Sequence, residues 1–210
     1  MTQAQFVRRV LKPIVCLVCL WPLAWLVFNM LWGDLGVNPV ETVTNHTGIW
    51  TLRLLLATLA VTPLRWLTGW NAIINVRRMI GLFAFFYGTV HFLIYFVLDR
   101  SLVFEGLWED VALRPYITAG FTAFVLMIPL ALTSTSGWIR RLGGRRWAML
   151  HRLVYVSALL GVLHYWWKVK ADTTYPMYYA LIVGVLLGWR AVKAVLRRQA
   201  AAARAVSAQT

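Results

Sequence analysis

The chain has 210 residues, of which 60% are hydrophobic and only 13% charged, with a mean hydropathy of +0.67. A soluble domain of this length has no way to bury so much apolar surface, so the composition excludes a water-soluble globular protein. The formal charge of +14 would suggest nucleic acid in a soluble chain, but here the cations follow membrane topology rather than one binding face.

In chain order, the first apolar run covers about 13–32 and is preceded by Arg8-Arg9-Val10-Leu11-Lys12, a signal-like start. No small-residue cleavage site follows Trp32, and Gly33-Asp34-Leu35-Gly36 reads as a loop, so an uncleaved first helix is expected. Cys16 and Cys19 have CxxC spacing within this run; lacking a second pair, they read as small packing residues. Further runs follow at about 48–66, 79–98, 115–133, 151–168 and 176–196. Each is long enough to cross roughly 30 Å of hydrocarbon.

Turn signals separate the runs: Asn38-Pro39, Thr68-Gly69-Trp70-Asn71, Glu105-Gly106, Ser136-Gly137, Gly143-Gly144, and Thr173 to Pro176. Gly184 and Gly188 give the sixth helix a small-xxx-small spacing suited to close helix contact. The Ala-rich tail after Gln199 reads as frayed, and no internal sequence repeat is evident. The expected fold is an all-α, six-helix transmembrane bundle forming one domain over 1–210.

Charge sets the expected orientation. With the N-terminus inside, 16 of the 21 basic residues fall in or beside the cytoplasm, among them Arg65, Arg140, Arg141, Arg145, Arg146 and the tail from Arg190 to Arg204. All seven acidic residues (Asp34, Glu41, Asp99, Glu105, Glu109, Asp110 and Asp172) fall on the other side. The lysine and arginine bias is the operative rule, and it predicts both termini cytoplasmic. Trp32, Trp50, Trp108, Trp166 and Trp167 gather near one face and Trp66, Trp70, Trp138, Trp147 and Trp189 near the other, as an aromatic belt.

Histidines carry the chemistry. His91, His151 and His164 lie on or at the ends of spans three and five, where a protonatable ring is costly and by default functional. Both spans run from inside to outside. His91 lies about 18 Å along the third, and His164 lies about 20 Å beyond His151 on the fifth. His91 and His164 therefore share a depth in the outer half, while His151 is at the inner end.

Two imidazoles on different helices at equal depth can bind one metal from opposite sides, as bundle cores do. Haem iron suits such a pair, and a six-coordinate site suits electron transfer. The competing reading is a histidine that hydrogen-bonds across the bundle. Zinc is disfavoured because no third ligand appears at that depth.

His151 is expected either to hold a second haem alone or to lack a partner on helix three, which offers Arg77 and Arg78 there. On a continuous helix, thirteen residues would leave His151 and His164 about 140° apart, which calls for a distortion or two cofactor orientations. His46 is read as a loop or capping residue at the mouth of the second helix. Haem propionates need cations: Arg53 is the candidate for an outer haem, and Arg77, Arg78 and Arg152 for an inner haem or a flavin phosphate.

Several stretches carry a family resemblance. They are Leu-Leu-Leu-Ala-Thr-Leu-Ala-Val-Thr-Pro-Leu at 54–64, Arg77-Arg78-Met79-Ile80-Gly81-Leu82, and His91. Next come Arg114-Pro115-Tyr116-Ile117-Thr118-Ala119-Gly120 and Leu130-Ala131-Leu132-Thr133-Ser134-Thr135-Ser136. The last are Arg146-Trp147-Ala148-Met149-Leu150-His151-Arg152-Leu153-Val154-Tyr155 and Leu163-His164-Tyr165. In this order and spacing the chain resembles the MsrQ/YedZ family of the ferric reductase-like transmembrane superfamily.

The resemblance implies a haem b membrane subunit that passes electrons to a periplasmic molybdopterin subunit, MsrP, which reduces protein methionine sulfoxide. It implies quinol or a cytosolic flavin reductase as donor and associates a flavin mononucleotide, FMN, with the family. The family's haem histidines fall on His91, His151 and His164. Arg77 or Arg78 stands where larger superfamily members carry a fourth, leaving one haem or two open.

Three functions compete on the residues. An electron-transfer subunit without substrate chemistry of its own leads, with the loop 99–114 (Asp99, Glu105, Glu109, Asp110) as a docking surface or plain hydrated loop. A transporter or channel with a histidine-based proton or metal path predicts intramembrane carboxylates or broken helices, and the sequence has neither. A stand-alone ferric or quinone reductase needs a nicotinamide site, and no Gly-rich dinucleotide fingerprint is present.

Overall fold

The computed structural model describes residues 1–99 and 107–207, so the Glu105-Gly106 turn and Glu105 of the acidic loop lie outside it. The described residues contain helices and no strand. Short α1 (Gln3–Phe6) passes through a π-helical turn, Val7–Leu11, into α2 (Lys12–Leu31). Then come α3 (Pro39–Thr68), a 3-10 turn Asn71–Val76, α4 (Arg77–Ile94) and α5 (Leu107–Leu113). The remainder are α6 (Pro115–Leu132), α7 (Ser136–Leu142), α8 (Gly144–Leu150), α9 (Leu153–Lys168) and α10 (Thr174–Ser207).

Six helical stretches are long and apolar enough to cross a membrane: Gln3–Leu31, Pro39–Thr68, Asn71–Leu98, Pro115–Leu132, Gly144–Lys168 and Thr174–Arg204. These are the six expected spans, with different ends. The second helix begins at Pro39, not near 48, because the Asn38 side chain accepts from the Glu41 amide and Pro39 supplies a preformed first turn. Within its polar start, Thr44-Asn45-His46-Thr47, the hydroxyls of Thr44 and Thr47 are satisfied by carbonyls of the preceding turn.

Residues 136–150, read as loop, form α7 and α8, and the tail read as frayed continues α10 to Ser207. Alanine's helix propensity accounts for that extension. A Cβ built on Gly184 or Gly188 would meet nothing within 4 Å, so the expected close contact is not made among the described residues.

Four helices form the centre. α3 packs along antiparallel α4, and α6 along antiparallel α9; α4 touches α6 and α3 touches α9. Hence α4 and α9 stand on one diagonal and α3 and α6 on the other. Small residues set the closeness of the first pair. Thr51 and Thr58 give their hydroxyls to carbonyls four residues earlier, and their methyl groups lie toward Gly88 and Gly81. Between α4 and α6 the contact is aromatic: Phe124 stacks on Phe85 at 5.7 Å and on Phe92 at 5.3 Å.

Flanking helices cover this centre, with α2 against α3 and α4, and α10 against α9 and α3. The core is built from Leu52, Leu55, Leu59, Ala84, Tyr87, Met127, Ala158 and Val183, all buried. Cys19 belongs to it, and both cysteines are free thiols, so the packing role fits.

Candidate functional site

Helix α4 delivers His91 three residues before its end at Ile94, and α9 delivers His164 four residues before Lys168. Both positions are toward the end of the bundle that carries Glu41, Asp110 and Asp172. Because α4 and α9 are diagonal partners, the two imidazoles meet in the middle of the four-helix centre. Their ring centroids are 6.0 Å apart and the planes are inclined at 77°.

Each ring is held from behind. His91 Nδ1 lies 3.0 Å from the carbonyl oxygen of Thr44 on α3. His164 Nδ1 lies 2.7 Å from that of Tyr116 on α6. A carbonyl oxygen only accepts, so each Nδ1 carries the proton and each Nε2 is left with its lone pair. Histidines that ligate a metal are held in this way, with the far nitrogen donating to a carbonyl or carboxylate.

The separation can be tested against a shared metal. With a metal–nitrogen bond of about 2 Å and the nitrogen about 1.2 Å from its ring centre, two imidazoles on opposite sides of one metal would hold their centroids about 6.4 Å apart. The observed 6.0 Å agrees. Among the described residues no three His, Cys, Asp or Glu come together. Two imidazoles would supply two ligands, and a haem, whose porphyrin brings the remaining ones, would need no more from the protein. The residues present fit haem.

His151 stands apart at the basic end. It closes α8 with φ −68° and ψ −5°, so the chain is not one continuous helix from His151 to His164. Its Nε2 lies 3.1 Å from Thr133 Oγ1, whose own proton goes to the Pro129 carbonyl at 2.6 Å, and its ring stacks on Trp147 at 3.9 Å. Nε2 is therefore the donor, the reverse of the arrangement at His91 and His164.

The arginines divide. Arg53 lies nine residues after Thr44, about 180° around α3. It turns away from the histidine pair: Nε donates to Tyr179 of α10 at 2.9 Å and the guanidinium lies 5.0 Å above the Trp50 ring. Arg77 donates to Thr62 at 3.4 Å, and Arg78 and Arg152 are exposed at the basic end.

His46 is no cap. It lies inside α3, its Nε2 donates to the Pro22 carbonyl at 2.9 Å, and it stacks on Trp25 at 4.9 Å. At the acidic end Arg114 approaches Asp110 at 3.4 Å; bonding to Tyr116 and then that carboxylate raise its pKa.

Two features escaped the sequence. The carbonyls of Thr44 and Tyr116 have no side-chain signature, and only the helix register reveals them. Arg190 of α10 reads as one more inside cation, yet it reaches across to the backbone of α3 at Leu59. The signal was Pro63, which deprives Leu59 of its helical donor.

Comparison with known proteins adds a family. The model described as ferric reductase like transmembrane component matches residues 47–162. The protein-methionine-sulfoxide reductase heme-binding subunit MsrQ of Ralstonia nicotianae is 55% identical over 184 residues, covering 87% of this chain and 85% of the relative. The MsrQ subunit of Rhodospirillum rubrum is 51% identical, covering 88% of this chain and 89% of its own. That of Xanthomonas axonopodis pv. citri is 49% identical, covering 92% and 91%. No solved structure matches.

Proposed function

Since the chain belongs to the MsrQ family of ferric reductase-like transmembrane proteins, we propose that it is the haem-binding membrane subunit of a protein-methionine-sulfoxide reductase. One observation carries the reading: the facing rings of His91 and His164, 6.0 Å apart, each with Nδ1 engaged by a backbone carbonyl. The chain would hold haem b between these two Nε2 atoms. Bound there, the group would supply a one-electron couple, and two histidine ligands from the protein would favour electron transfer over oxygen or substrate chemistry.

The protein's own part is to grip and to insulate. Two rigid helices on opposite corners fix the ligands, and Phe85, Phe92 and Phe124 line the neighbouring α4–α6 contact with apolar surface. The pair's position near the acidic end supports delivery of electrons on that side. We assign that side to the periplasm of a bacterial inner membrane, a reading that the arginine and lysine bias supports by favouring cytoplasmic termini. The acceptor would be the molybdopterin subunit MsrP, and the donor quinol or a cytosolic flavin reductase. The chain then acts as one domain with no substrate chemistry of its own.

Support is weaker at the basic end. A second haem on His151 requires its bond with Thr133 to be given up for iron. FMN, if carried there, would place its phosphate among Arg77, Arg78 and Arg152. For the outer haem, Arg53 as a propionate partner would need its side chain to leave Tyr179.

Haem per protein, measured in purified wild type and in His91→Ala, His164→Ala and His151→Ala, tests the reading. A Soret band with a low-spin, bis-histidine spectrum is expected in wild type and is lost in the first two variants. Retention in His151→Ala means a single outer haem. Folded but colourless wild-type protein sinks the electron-carrier reading and favours a transporter.

A further inference from the structure

Gly48 and Gly120 lie directly under the two ligand rings. A Cβ built on Gly48 would be 2.9 Å from His91 Cε1 and 3.0 Å from its Nδ1. A Cβ on Gly120 would be 2.6 Å from His164 Nδ1, 2.9 Å from Cε1 and 3.0 Å from Cγ. Each imidazole thus rests on bare backbone. Gly81 and Gly88 of α4 differ: a Cβ there would meet the Thr58 and Thr51 methyls at 3.6 and 3.4 Å, ordinary contacts that tolerate a side chain.

The two positions have the same relation to the ring-binding carbonyls. Gly48 follows Thr44 by four residues, and Gly120 follows Tyr116 by four. On a helix, residues i and i+4 lie one above the other, and the carbonyl of i is aimed at the amide of i+4. That carbonyl has a second lone pair. A side chain at i+4 would take up the space through which a ring from a neighbouring helix reaches it.

The ligand helices match as well, since Gly88-Thr89-Val90-His91-Phe92 and Gly161-Val162-Leu163-His164-Tyr165 share a Gly-x-x-His-aromatic pattern. One arrangement is built twice, once on each half of the bundle.

We propose that Gly48 and Gly120 are positioning residues for the two histidines: each leaves one backbone carbonyl open, and that carbonyl fixes the ring in the Nδ1–H form with Nε2 directed at the shared metal. The proposal rests on the haem reading and adds how the ligands are oriented. The hydrogen bond to Nδ1 also strengthens the ring as a donor, which favours the oxidised metal and lowers its potential.

The test compares wild type, Gly48→Ala, Gly120→Ala and the control Gly81→Ala, purified in detergent. Readouts are haem per protein, the low-spin electron paramagnetic resonance g-values and the haem midpoint potential. Gly120→Ala, with the closer approach, is expected to weaken haem binding about 10-fold or more. Gly48→Ala is expected to shift the g-values and raise the potential, while Gly81→Ala matches wild type.

Haem-replete wild type whose Gly48→Ala and Gly120→Ala forms are indistinguishable from it overturns this proposal alone. Haem-free wild type overturns the functional reading beneath it. If Gly120→Ala fails to accumulate, His164→Ala with and without Gly120→Ala decides. Equal accumulation of those two supports a role specific to the ring. Failure of the double variant shows that the glycine serves helix packing, and overturns the proposal.

Discussion

The guanidinium of Arg190 donates to the backbone carbonyl of Leu59, an acceptor whose helical partner position is occupied by Pro63 and so has no N–H. Arg190 also donates to Leu186 at 2.7 Å and lies 5.6 Å from the Tyr155 ring centre. Arg190→Met is expected to leave the Leu59 carbonyl unpaired and to cost about 1–3 kcal/mol. Thermal unfolding in detergent checks this. The cost should shrink in a Pro63→Ala background, where the residue 63 amide returns; an unchanged cost would assign the loss to other contacts of Arg190.

Tyr87 performs a related substitution on α2. Its hydroxyl donates to Cys19 at 2.8 Å and accepts from the Leu23 amide at 3.0 Å. Cys19 and Leu23 are ordinary i, i+4 helical partners, so the hydroxyl is inserted into the ladder beside Pro22. Tyr87→Phe is expected to lower stability by about 1–3 kcal/mol. The Leu23 amide should lose protection from hydrogen exchange; full protection in the variant would mean that α2 closes its own ladder.

Ser157 on α9 is fully buried, and among the described residues its hydroxyl has no hydrogen-bond partner. An unpaired buried hydroxyl is a net cost, and alanine keeps the remaining volume. Ser157→Ala is expected to raise the unfolding temperature, by an amount equivalent to about 1 kcal/mol. A measured loss of stability would reveal a partner for the hydroxyl.

Acid should loosen the start of α10. Asp172 accepts from the Thr174 amide at 2.9 Å, and bonding to Thr174 holds its carboxyl below the usual carboxylate value. A depressed folded-state pKa means stabilisation that is present above the unfolded value near pH 4 and lost as pH falls through the folded one. Exchange at the Thr174 amide should therefore speed up below about pH 4 beyond its intrinsic pH trend. Asp172→Asn should remove that added dependence.

Long apolar runs made the six spans readable, and helical rise alone placed His91 and His164 at one depth. What stayed hidden was decided between helices. The start of α3 was obscured because Asn45, His46 and Thr47 look like loop residues; His46 and Thr47 satisfy their side chains on carbonyls of α2 and α3, while Asn45 accepts from Lys168 of α9. His46 needed Pro22 as partner, a relation that no local pattern carries. Arg53 was legible as an unusual intramembrane cation, but its direction depended on which side of α3 faces α10. A distortion between His151 and His164 was one of the two alternatives that the 140° offset allowed; its place, where α8 ends at His151, was not legible, because the glycines of the preceding segment gave only a loop signal.

The pairs α3–α4 and α6–α9 pack within themselves far more extensively than across to each other. Whatever joins His91 to His164 spans that seam and works as a keystone. On the haem reading, the prosthetic group would be the tie that holds the two halves closed. A chain deprived of it should part along this line, with both hairpins still wound.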